Sequence, residues 1–232
     1  MKRGTMIVLA LLGVLAACGG PPLAAVPTET PTPAATADTD IADTDVVDVP
    51  ENAVIYTIVP EESQVSYTVD EVFLREGTRL ATAIGITQQI EGQVFYDPEN
   101  PQNSTVGEIT IDISAFKSDS ERRDTAIRDR WLESATYPLA TFVPTSVEDL
   151  PESYTEGETV SFSIVGNLTV RDITSPVTFE TTTTIEGDTL TGTSTANVLM
   201  TDFGFDPPDI AGVLKAENDV LITFDFVARP GS

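Results

Sequence analysis

The sequence has 232 residues, which at roughly 100 to 200 residues per domain allows one domain with appendages or two small domains. It carries 37 acidic and 12 basic side chains, so its net charge is −25, which argues against nucleic-acid binding because each phosphate contact needs a cation. It has no histidine, which excludes a Ser-His-Asp triad and histidine-ligated metals, and its single cysteine excludes an internal disulfide.

Residues 1–17 have the composition of a signal peptide. Lys2 and Arg3 are followed by an apolar run over residues 6–17, which is too short to span a bilayer as a permanent helix. The run ends in Leu-Ala-Ala-Cys and resembles the lipobox of bacterial lipoproteins, in which cleavage precedes an acylated cysteine. We therefore expect Cys18 to carry the lipid anchor and the mature protein to lie on the extracytoplasmic face of a membrane. The alternative is an ordinary secretory peptide with an incidental cysteine.

Residues 18–52 have the composition of a disordered acidic tether. After Cys18 they include six prolines and seven acidic side chains, with no aromatic residue and no base. Such a segment cannot bury enough apolar area to offset the entropy lost on ordering. The acidic stretch 38–45 is an alternative Ca²⁺ site, but it lacks the glycine turn and the terminal glutamate of an EF-hand loop. The composition favours the solvated linker.

Residues 53–232 are predicted to form one all-β domain with a net charge of −20. Apolar side chains alternate with polar ones at period two, as in Val65, Tyr67 and Val69, and the pattern returns through residues 109–113 and 220–226. Turn-forming pairs such as Glu-Gly and Pro-Asp separate these stretches. The pattern predicts one-sided antiparallel strands that close into a barrel or stack as a sandwich.

Residues 119–133 are predicted to form the one helix. Ser118 and Glu121 fit a capping box, and an apolar face follows. That face consists of Ala126, Ile127, Trp131 and Leu132. We expect this short helix to cap one end of the barrel.

Basic residues are concentrated in this helix. Arg122, Arg123 and Arg128 lie within seven residues of an otherwise acidic domain and are candidates to hold the phosphate or other polar head of a ligand. The alternative interpretation is that they pair with neighbouring acids on a solvated helix face.

Three ordered blocks resemble the YceI-like proteins of bacterial envelopes, which are small lipid-binding barrels. The first runs from Glu-Arg-Arg-Asp at 121–124 through Trp131 to Tyr-Pro-Leu-Ala-Thr-Phe at 137–142. The second covers residues 166–179, and the third is Thr-Asp-Phe-Gly-Phe at 201–205. Together they extend the resemblance over nearly all of the domain.

The resemblance implies a lipocalin-like eight-stranded antiparallel barrel whose interior holds a polyisoprenoid or similar amphiphilic lipid. Eight strands enclose either a filled core or space for one slender ligand, and each buried CH₂ contributes about 0.8 kcal/mol. The alternative is a filled, ligand-free barrel that serves adhesion or assembly. The candidate ligand-binding side chains from the barrel and helix are Trp131, Phe142, Phe162, Phe179, Phe203 and Phe224.

The sequence favours binding over catalysis. It contains no GxSxG nucleophile elbow, no glycine-rich phosphate loop before a helix and no lysine within an apolar run. Carboxylate pairs are expected by chance in so acidic a domain, so they carry little weight as evidence for a glycosidase. We expect neither enzymatic activity nor a cofactor or metal.

The lipobox-like segment generates a test of location. We expect the wild-type chain to fractionate with membranes and to incorporate labelled fatty acid, whereas Cys18→Ser should lose both properties because no thiol remains to be acylated. A fatty-acylated, membrane-bound Cys18→Ser product would contradict the lipoprotein prediction.

Overall fold

The computed structural model describes residues 49–74 and 79–231. The predicted signal peptide, Cys18 and most of the predicted tether lie outside the described residues. Fourteen strands are assigned within them, several of them short. They are β1 (Val54–Ile58), β2 (Gln64–Phe73), β3 (Arg79–Thr87), β4 (Ile90–Glu91), β5 (Gln93–Tyr96), β6 (Thr105–Val106), β7 (Ile109–Asp112), β8 (Leu139–Glu148), β9 (Thr159–Val170), β10 (Ile173–Glu186), β11 (Thr189–Leu199), β12 (Asp209–Ile210), β13 (Leu214–Ala216) and β14 (Asp219–Pro230).

The strand pairings close into a ring. Strands β7 to β11 pair antiparallel in sequence order, and β11 pairs with β14. The first half of β14 pairs with β2 and its second half with β1, so β1 and β2 act as one interrupted strand. Strands β3, β4 and β5 follow one another as the next segment, which pairs with β2, β7, β1 and β6. Counted as continuous segments, eight antiparallel strands surround the interior, which confirms the predicted barrel: β1–β2, β3–β5, β6–β7, β8, β9, β10, β11 and β14. The short hairpin of β12 and β13 pairs with the end of β2 and is not counted among the eight.

Period-two alternation sets the inner face of each strand. In β10, Val177 and Phe179 are buried whereas Thr178 and Glu180, which alternate with them, are exposed. In β2, Val65 and Val69 face inward in the same way. Most buried side chains of the long strands belong to one main cluster inside the ring, and Val69 forms a second, smaller cluster with Met200 and Ala216.

The helix is shorter than predicted. Instead of one helix over residues 119–133, the structure has an α-helix, α1 (Glu121–Ala126), that continues into a π-helical turn over Ile127–Trp131. Its N-cap is Ser120, whose hydroxyl accepts a hydrogen bond from the Arg123 amide at 3.3 Å. The predicted cap, Ser118, instead donates its amide and hydroxyl to the buried Asp124 carboxylate. Among the residues that the structure describes, no helix is long and apolar enough to cross a membrane.

Polar contacts fix the helical segment across one end of the barrel. After the π-helical turn, Glu133 forms an ion pair at 2.7 Å with Arg171 in the turn between β9 and β10. The Trp131 indole N–H donates to the Asp206 carbonyl at 3.2 Å. The helical segment is therefore attached to the wall at two separate points, as the prediction of a capping helix requires.

Gly166 of β9 provides a stability test of the close packing around the barrel. A Cβ atom at this position would lie 2.5 Å from Phe142 Cζ and 2.6 Å from the Val143 carbonyl oxygen. Since the backbone carbonyl cannot rotate away, we expect Gly166→Ala to lower the free energy of unfolding by about 1–3 kcal/mol in urea denaturation. The neighbouring exposed residue offers a control, because Asn167→Ala should change stability by no more than about 0.5 kcal/mol. Equal stability of both variants would contradict this packing.

Candidate functional site

The interior of the barrel contains a cavity of about 280 Å³. Its wall includes inward side chains along β9 from Val160 to Val170, together with Leu132 beside the helix and Tyr154 in the loop between β8 and β9. Ten residues of a strand tilted by about 40° correspond to about 25 Å along the barrel axis. A volume of about 280 Å³ spread over about 25 Å makes the cavity long and narrow.

All six predicted aromatic side chains lie in the cavity wall. Phe142 and Phe179 are buried and meet edge to face with ring centroids 5.0 Å apart. Phe203 is also buried, immediately before Gly204, whose left-handed φ of 75° ends a 3-10 turn. The other three rings are only partly buried although they face inward. They are Trp131, Phe162 and Phe224.

None of the three predicted arginines is part of the cavity wall in the described structure. Arg122 is exposed, and Arg128 donates to the Phe116 carbonyl at 3.4 Å. Arg123 donates to the carboxylates of Glu71 and Asp119. Arg123 and Arg128 thus contact residues of the wall without lining the cavity themselves, and direct contact of any of the three arginines with a ligand head stays a prediction.

Glu71 is the functional candidate that the strand pattern did not single out. It continues the inward side of β2 after Val65, Tyr67 and Val69, and it is only 6% exposed. Its Oε2 lies 3.3 Å from Arg123 Nη2. Among the described residues that line the cavity, Glu71 is the one charged side chain. A buried carboxylate in an apolar wall is unusual because it must be paired to offset its desolvation.

Two further polar side chains of the wall satisfy each other. The hydroxyls of Thr181 in β10 and Ser194 in β11 are 2.8 Å apart across the strand pair, and both residues are buried. Because they bond to each other, neither of these two buried hydroxyls is left without a hydrogen-bond partner. The one charged group of the described cavity wall is therefore Glu71, at the end covered by the helix.

The charges near Glu71 act on the phenol of Tyr67. Burial, followed by the negative charge of Asp124, raises the pKa of Tyr67 to about 12, although Arg123 acts in the opposite direction. Burial also acts to lower the pKa of Arg123, but its hydrogen bond with Asp119 and the charge of Glu71 outweigh that effect and leave the pKa raised. Tyr67 is therefore a neutral hydroxyl and Arg123 a cation throughout the physiological range.

The arrangement is suited to holding an amphiphile. An apolar wall favours burial of a hydrocarbon chain, and one polar end can orient the head of that chain. No cluster of three or more His, Cys, Asp or Glu side chains in residues 49–74 and 79–231 is placed to hold a metal ion.

These features define the class of an antiparallel β-barrel with an elongated apolar interior and a helix across one end. The family model for the YceI-like domain matches residues 56–228, which is most of the chain. The protein therefore belongs to the YceI-like family.

Curated relatives agree over a shorter stretch. Protein YceI of Salmonella arizonae is 32% identical over 105 residues, which is 45% of this chain and 50% of that protein. The chain thus spans about half the length of the curated relatives it matches. The agreement supports the family assignment but compares only part of each protein.

Solved structures share the fold. BcnA of Burkholderia cenocepacia superposes with a TM-score of 0.56 at 21% identity, covering 73% of this chain and 98% of BcnA. A polyisoprenoid-binding domain from Saccharophagus degradans superposes with a TM-score of 0.53 at 12% identity, covering 77% and 99% of the two chains. At these identities the likeness establishes a common barrel architecture.

The raised pKa of Tyr67 predicts an alkaline loss of stability. Below pH 10 the phenol is neutral in both states, so it adds no pH dependence; between pH 10 and about 12 the unfolded chain ionises first and unfolding becomes easier. We expect the thermal midpoint of the wild type to fall more steeply across this window than that of Tyr67→Phe. In an ultraviolet titration of the folded protein, Tyr67→Phe should show one tyrosine fewer ionising at high pH than the wild type. Identical titration and stability profiles would contradict this environment for Tyr67.

Proposed function

We propose that the protein binds a long-chain, isoprenoid-like lipid inside its barrel and sequesters or carries it at the cell envelope, without catalytic turnover. The observation that carries this proposal is the elongated cavity with an almost entirely apolar wall. Each CH₂ transferred from water into such a wall contributes about 0.8 kcal/mol, so a chain of many carbons gains enough to bind without specific polar contacts.

The partly buried rings favour a ligand over a filled core. Phe162 of β9 and Phe224 of β14 face the barrel interior, yet neighbouring side chains do not cover them fully. In a close-packed interior, aromatic rings at such positions would be buried by their neighbours. A lipid chain lying against these two rings would remove their remaining apolar surface from water.

Two relationships support the choice of lipid. The chain belongs to the YceI-like family, and one solved structure with the same fold is described as a polyisoprenoid-binding domain. An isoprenoid chain is slender and apolar along its whole length, which suits a narrow cavity of about 25 Å.

The envelope location is part of the proposal and comes from the sequence. The lipobox-like segment ending at Cys18 and the following acidic tether support a lipoprotein held at a membrane, where a lipid carrier can exchange its ligand.

Charge introduced into the cavity tests lipid binding. We expect Phe224→Glu to remove most lipid from the purified full chain, because its carboxylate would face the space of the hydrocarbon, while the protein still folds around a solvated cavity. Native mass spectrometry and analysis of extracted lipid measure occupancy, and thermal unfolding measures the fold. The wild type should yield a stoichiometric long-chain lipid.

The same strand supplies a matched control. Leu221 is 36% exposed on the outer face of β14, so Leu221→Glu adds the same charge outside the cavity and should leave lipid occupancy unchanged. Phe179 is buried whereas Phe224 is only partly buried, and Phe179→Glu should therefore destabilise the fold as well as reduce binding. If Phe224→Glu also unfolds the domain and the wild type yields no lipid, the barrel is filled and the carrier function is wrong.

A further inference from the structure

We propose that Glu71 forms a head-group subsite that receives the hydroxyl of an uncharged lipid alcohol and disfavours a phosphorylated head. The proposal rests on lipid binding in the barrel and specifies which head that lipid carries. The structure places one carboxylate, and no basic side chain, in the described cavity wall. A carboxylate accepts a hydrogen bond from an alcohol, and such a bond to a charged acceptor is stronger than a neutral one.

The geometry leaves part of this carboxylate for a ligand. Glu71 is more than nine-tenths buried and faces the cavity between neighbouring residues of β3 and β13, Ala81 and Ala216. Arg123 contacts Oε2, and within the described residues Oε1 accepts no hydrogen bond. The second carboxylate oxygen can therefore serve as the acceptor at the end of an otherwise apolar cavity.

The surrounding charges argue against an anionic head. Asp119, just before the helix, pairs with Arg123, and the buried Asp124 carboxylate accepts from Ser118, whose hydroxyl also accepts from Arg123 Nη1 at 3.3 Å. Together with Glu71, this end therefore holds three carboxylates and one guanidinium. Arg123 already donates to two of them. A phosphate placed against Glu71 would face a like charge in a region where water screens poorly.

A cationic head is also disfavoured. The Arg123 guanidinium lies 3.3 Å from the Glu71 carboxylate and compensates its charge. An ammonium at Oε1 would stand close to that guanidinium and be repelled by it. A hydroxyl adds no charge and donates the single proton that the free oxygen requires.

Matched prenyl ligands test the subsite in the full chain. Geranylgeraniol, geranylgeranyl monophosphate and geranylgeranylamine share one hydrocarbon chain and differ only in the head. We expect the wild type to bind the alcohol about tenfold more tightly than either charged form. Glu71→Gln removes the charged acceptor and should weaken binding of the alcohol about tenfold relative to binding of a headless isoprenoid hydrocarbon. The same variant should bind the monophosphate as tightly as the alcohol, because the repelling charge is gone.

The head-group ratio separates this role from a structural ion pair. If Glu71 serves only to fix Arg123 and the helix, Glu71→Gln lowers the thermal midpoint but changes the affinity for alcohol and hydrocarbon equally, which would overturn the subsite. Tighter wild-type binding of the phosphate or of the amine would also overturn it. Glu180→Gln, on the exposed outer side of β10, is the matched control and should leave every ratio unchanged. Failure of all four ligands to bind the wild type would instead refute lipid carriage itself.

Discussion

The structure depends on the closure of its strand ring by the interrupted strand made of β1 and β2. This strand pairs with β14 on one side and with β3 and β5 on the other, so the sheet continues around the interior instead of ending in two open edges. Closure fixes eight strand segments around one interior. A barrel of eight strands is slightly wider than these inward side chains can fill. The cavity is therefore a consequence of strand number and tilt more than of any one residue.

Period-two alternation within the closed ring separates an apolar interior from an acidic outer surface. Inward positions on β10 pass from Val177 and Phe179 to Thr181 and Thr183, while Glu180 and its outward neighbours face water. The acidic outer surface favours solubility and mutual repulsion of copies, and it does not disturb the apolar interior because each strand separates the two faces. A domain with a net charge of −20 can thus enclose a hydrocarbon-like space.

Local sequence rules predicted which side chains face inward but not what they enclose. Period two placed Phe162 and Phe224 on the inner face correctly, since alternation is a property of each strand alone. Whether such rings meet or leave a cavity depends on the radius of the whole ring, which no segment encodes by itself. The helix start was displaced for a local reason: Ser118 donates its amide and hydroxyl to Asp124, six residues later, and Ser120 takes the capping position. Glu71 was detectable, because extending the alternation two residues beyond Val69 places an acid inside.

The placement of that acid gives the cavity a direction. A uniformly apolar tube would accept a chain in either orientation, because burial of CH₂ groups does not distinguish the two ends. Glu71 lies near the helix end of β2, whereas Tyr154 and Val160 mark the opposite end of the same cavity. An amphiphile with its head at Glu71 would therefore extend its tail toward the loop between β8 and β9. Since Arg123 of α1 holds the carboxylate, the helix that covers the barrel also fixes the group that orients its contents.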